Sequence, residues 1–103
     1  MSFGKAGHAN ELPVPGDALA DRDAAEVFRA WIVRGGLQVS LQRGFDSPAA
    51  WGILLTDIAR HAARIYAAER VCSEAEALRQ IRAMFDAEWG HPTDPGTTGA
   101  ARQ

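Results

Sequence analysis

Asp57, Arg60, His61 and Arg64 stand at i, i+3, i+4 and i+7 within a stretch of helical period, so all four project from one side of a helix. A carboxylate three and four residues ahead of a guanidinium and an imidazole can accept a hydrogen bond from either one. That would orient His61 as an acid or base, while the two arginines held an anion. Such a set would serve a small-molecule binder or an enzyme. The competing reading is a solvated helix face laced with ion pairs, and it is preferred because no nucleophile or oxyanion donor accompanies the pair.

Other chemistry is thinner. His8, His61 and His91 are scattered along the chain and Asp57 with His61 supplies half a coordination shell, so neither a metal site nor a cofactor is expected. Gly35 and Gly36 precede a strand-like segment, whereas phosphate loops follow a strand and open a helix. Cys72 lies beside Ser73 at a helix start. With no His or Asn near it in sequence it reads as a plain residue between helices. As the one cysteine in the chain it also excludes an intrachain disulfide, which suits a reducing compartment. Trp31, Trp51 and Trp89 read first as core residues and second as interface anchors.

With 103 residues there is room for one domain and a small core, so a dimer interface would add materially to stability. A formal net charge of −2 offers no electrostatic case for binding nucleic acid. No apolar run approaches the roughly 18 residues that span a bilayer, and MSFGKAGHAN has no apolar secretory core, so a cytoplasmic protein without membrane partners is expected.

The elements that must position these residues follow from periodicity. Residues 1–10 read as a disordered arm, residues 11–91 as a single domain and residues 92–103 as a disordered tail. ELPVP, residues 11–15, is extended because Pro13 and Pro15 fix φ and push Leu12 and Val14 out of the helical region. A helix is predicted over residues 21–34, opened by an Asp23/Glu26 capping box and stopped by Gly35 and Gly36. Leu37, Val39 and Leu41 then alternate with Gln38, Ser40 and Gln42, the period of a strand. A second helix over residues 48–70 opens on Ser47 and Pro48 and carries Trp51, Leu54, Leu55, Ile58, Ala62, Ile65 and Tyr66 as its apolar stripe. Gly52 within it suggests that something packs closely on its backbone. A third helix over residues 74–89 opens on a Ser73/Glu76 capping box and ends at Gly90.

The segments ELPVP, GGLQVSL, AWGILLTDIARH and IRAMFDAEWG resemble a small family of uncharacterised bacterial domains of about this length, one of the families named only as domains of unknown function. The resemblance covers residues 11–90, and residues 51–61 are its most specific part. It implies no substrate, cofactor or catalytic residue.

The expected fold is therefore α+β, with three helices packed on one face of a small antiparallel sheet. A lone strand cannot satisfy its own backbone. Either ELPVP pairs with it, or a second copy does so across a two-fold axis, making Leu37, Gln38, Val39, Ser40, Leu41 and Gln42 a homodimer interface with Leu37, Val39 and Leu41 pointing into the helices. The expected function is a non-enzymatic dimeric module that binds another protein. The alternative is a small-molecule binder or enzyme built on Asp57, Arg60, His61 and Arg64.

Overall fold

The computed structural model describes residues 7–94. Its elements run α1 (Gly16–Ala20), β1 (Phe28–Val33), β2 (Gly36–Leu41), α2 (Ala49–Ala68) and α3 (Glu74–Gly90). Among the described residues this is an α+β arrangement of three helices and one two-stranded antiparallel sheet. The chain divides into two compact units, Met1–Gln42 and Arg43–Gln103. Of the arm and tail expected to be disordered, residues 1–6 and 95–103 lie outside the described residues.

In the first unit, the helix expected over residues 21–34 is replaced by a turn and a strand. Asp21 is the reason the helix does not start: its carboxylate accepts the Asp23 N–H at 2.9 Å and its carbonyl accepts the Ala24 N–H at 3.0 Å, closing a turn. Glu26, the supposed second half of a capping box, grips Arg29 instead. Beyond the turn come Phe28, Trp31, Ile32 and Val33, aromatic and β-branched residues that crowd a helix but suit a pleated strand. The apolar spacing here fits either period over so short a run.

Strands β1 and β2 form a hairpin in which Val33 pairs with Gly36, Trp31 with Gln38 and Phe28 with Leu41. Arg34 (φ 50°) and Gly35 (φ 78°) make a two-residue turn with both φ positive, the geometry whose twist matches the flanking strands. So Gly35 does not end a helix; it turns a hairpin. This also corrects the partner of β2, which is β1 and not ELPVP; residues 11–15 form no strand.

The Gln42 N–H donates to the Val27 carbonyl at 3.1 Å, and the Gln42 amide donates to the Glu26 carbonyl at 2.7 Å, tying the open end of the hairpin. Because antiparallel ladders alternate, the bonded pairs below this one are Arg29/Ser40, Trp31/Gln38 and Val33/Gly36. The backbone groups of Leu37, Val39 and Leu41 therefore point to the free edge of β2. Their side chains share a face with Phe28, Ala30 and Ile32, so one whole face of the hairpin is apolar. Leu37, Val39 and Leu41 were expected to be buried, yet they are 71%, 46% and 50% exposed, and Ile32 is 82% exposed.

In the second unit, the Ser47 hydroxyl accepts the Ala49 N–H at 3.2 Å at the start of α2. The helix closes with Val71 N–H donating to the Tyr66 carbonyl and Arg70 N–H to the Ala67 carbonyl, both at 3.0 Å, and with Arg70 left-handed at φ 60°. That pair of bonds is a Schellman closure carrying arginine where glycine is usual. Helix α3 starts on Ser73, whose hydroxyl accepts the Glu76 N–H at 3.0 Å, while the Glu76 carboxylate turns outward to Arg79 and Gln80.

Helices α2 and α3 pack through small residues: Ala63 and Ala77, the only buried positions among the described residues. No residue of the expected α2 core stripe is buried: Trp51, Leu54 and Ala62 are half-buried, and Leu55, Ile58, Ile65 and Tyr66 are exposed. Nothing packs on Gly52: a Cβ placed there would meet no heavy atom within 4 Å.

Candidate functional site

Asp57, Arg60, His61 and Arg64 all lie on α2 and all are exposed. Arg64 Nε approaches Glu74 Oε2 at 3.8 Å, an ion pair that spans the α2–α3 turn. Among the described residues, no hydrogen bond or ion pair joins Asp57, Arg60 and His61 to one another, so the orienting contact that their spacing allows is not made. Exposed side chains that make no contact with one another do not enclose a reactant. Arg60 differs from the other three, because it also lines a groove between α2 and α3.

That groove has a volume of about 870 Å³ and is walled by Trp51 and Leu55 from α2 and by Ile81, Phe85 and Trp89 from α3. The buried alanines Ala63 and Ala77 lie towards the turn that joins the two helices, and the bulkier side chains of the groove lie towards the other end. Trp51 is fixed there: its indole N–H donates to the Arg43 carbonyl at 2.9 Å, and Phe45 meets its ring edge-on at 5.7 Å. Phe85 and Trp89 stack at 5.4 Å, and Trp89 is 76% exposed. At the rim, Arg82 Nε donates to both oxygens of Asp86, at 3.0 and 3.1 Å. The Thr56 hydroxyl is spent on the Gly52 carbonyl at 2.8 Å.

The first unit has a polar cluster that sequence reasoning missed. Arg29 pairs with Glu11 and, at 3.0 Å, with Glu26; the hydrogen bond to Glu11 first and that to Glu26 second raise its already high pKa. His8 packs on Trp31 with ring centres 5.0 Å apart, and a turn from His8 to Glu11 brings both residues over the face of β1 that carries Arg29, Trp31 and Val33. No local signal points to the Glu11–Arg29 pair, since its members are 18 residues apart in sequence. A second groove of about 650 Å³ runs between residues 11–15 and the outer side of β1.

Among the described residues, no group of three or more His, Cys, Asp or Glu side chains is placed to hold a metal ion, and no helix is long and apolar enough to cross a membrane. Cys72 is half-buried and unpaired with any other cysteine.

Among solved structures, the chain is similar to one described as a "putative pyruvate dehydrogenase from the photosynthetic bacterium Rhodopseudomonas palustrus CGA009". The two share 45% identity with a TM-score of 0.77, over 94% of this chain and all of that one. No curated protein matches the chain. A family model, "Domain of unknown function (DUF5076)", matches residues 11–93, in agreement with the resemblance carried by ELPVP, GGLQVSL, AWGILLTDIARH and IRAMFDAEWG. The chain belongs to this family of domains of unknown function.

Proposed function

We propose that the chain is a non-enzymatic protein-interaction module that works as a homodimer, two copies meeting through the apolar face of the hairpin. The observation that carries this is the run of Phe28, Ala30, Ile32, Leu37, Val39 and Leu41 on one sheet face, with Ile32 and Leu37 more than two-thirds exposed. A contiguous apolar patch on a soluble domain marks an interaction surface. A two-stranded sheet with open edges also gains from a partner that covers it. The lone unbridged Cys72 favours a reducing compartment, and we assign the protein to the cytoplasm.

Light scattering on the full chain tests this against the double variant Ile32→Glu/Leu37→Glu. Both side chains are exposed in the single chain, so the variant should fold normally. A carboxylate forced into a dry interface should weaken the dimer at least about a hundredfold. A monodisperse wild-type monomer at micromolar concentration, or a double variant that dimerises as well as wild type, would reject the reading. The alternative built on Asp57, Arg60, His61 and Arg64 draws support from Arg60 alone, through its place in the α2–α3 groove.

A further inference from the structure

We infer that the α2–α3 groove is a binding site for a carboxylate carried on an apolar or aromatic body. The inference deepens the small-molecule reading, resting on Arg60 alone, and is independent of the hairpin interface.

The groove's volume of about 870 Å³ falls within the roughly 300–1,000 Å³ of small-ligand sites, whose usual make-up is apolar walls with a few placed polar groups. Here Trp51, Leu55, Ile81, Phe85 and Trp89 supply the walls, so the body of the ligand is apolar. The charged groups in the lining are Arg60, Arg82 and Asp86. Asp86 takes Arg82 through both carboxylate oxygens, which cancels that pair. Thr56 is turned inward to its own helix. Arg60 has no hydrogen-bond or ion-pair partner among the described residues, so the groove is left with one uncompensated planar cation. The complement of a free guanidinium beside an apolar wall is a carboxylate, whose two oxygens match the fork of N–H donors.

The test is a titration of the full-length chain with decanoate, followed by the three tryptophan indole N–H signals in NMR. The Trp51 and Trp89 signals should shift and saturate together, while that of Trp31, in the other unit, stays put. Replacing decanoate by uncharged decanamide, or Arg60 by Gln, should each weaken binding about tenfold, with Arg60→Lys in between. The same shifts should survive in Ile32→Glu/Leu37→Glu, so failure of the dimer reading and failure of this one can be told apart. Equal affinity for decanamide, indifference to Arg60→Gln, or a Trp31 shift in step with the others would overturn the inference. So would decanoate splitting a dimer, since a second copy would then be the occupant of the groove.

Discussion

Gly52 and Arg70 are each at a position where the backbone prefers the other's kind of residue. Gly52 sits inside α2 with open space where a Cβ would go, so Gly52→Ala should add about 1 kcal/mol of stability in a denaturant melt. Arg70 holds the left-handed closing position of the same helix; Arg70→Gly should add roughly half a kcal/mol, relief of strain being partly offset by a freer unfolded chain. If close packing on Gly52 mattered, as its place in a helix first suggests, the alanine would instead destabilise. At the other end of α3, Thr93 donates to the Glu88 carboxylate through its hydroxyl and its N–H, which lowers the Glu88 pKa. A carboxylate depressed in the folded state stabilises the contact above its unfolded pKa, and that stabilisation is lost as pH falls through the folded value. The Thr93 amide signal should therefore follow Glu88 in an acid titration, and Thr93→Val should return the Glu88 pKa towards its ordinary value. A Thr93 signal indifferent to Glu88 protonation would refute the contact.

Helices α2 and α3 were legible in sequence, α1 was not, and the hairpin was half legible, for a physical reason. Ser47 and Ser73 cap their helices through oxygen-to-backbone bonds that are local, so a cap and a long apolar run suffice to find α2 and α3. Strand β1 depends on pairing with β2, and its apolar residues fit a helix wheel equally well; Arg34 with Gly35 is also a weaker turn signal than Asn-Gly. Of the candidate site, Arg60 and Trp51 were within reach because they share a helix, but their convergence with Phe85 and Trp89 depends on how α3 packs. The ladder yields its own prediction. The Val39 N–H points away from β1, so Val39→Pro removes a donor from the free edge without breaking a hairpin bond. Should two copies meet edge to edge, Val39→Pro yields a folded monomer. Should they meet through the apolar face, association persists in Val39→Pro and is lost in Ile32→Glu/Leu37→Glu. Circular dichroism confirms the fold, and light scattering separates the two geometries.

For the whole molecule, the distribution of apolar residues bears on how much the proposed dimer would add to the stability of a single copy. Only two alanines are buried among the described residues, whereas sixteen large apolar side chains, from Leu12 to Trp89, are exposed. A domain this short has little core to spare, and each Leu or Ile that leaves water contributes roughly 1.5–3 kcal/mol, so the proposed dimer would link association to stability. If folding is coupled to dimerisation, mass action makes the melting temperature rise with protein concentration. Wild-type chain scanned across a hundredfold range should show that rise, about 2.7 kcal/mol of added stability per mole of dimer from lowest to highest concentration. In Ile32→Glu/Leu37→Glu the dependence should vanish and the midpoint fall to a constant lower value. A wild-type midpoint that does not move would mean that a single chain is stable with its apolar surfaces open, and the hairpin face would lose its claim to be a dimer interface.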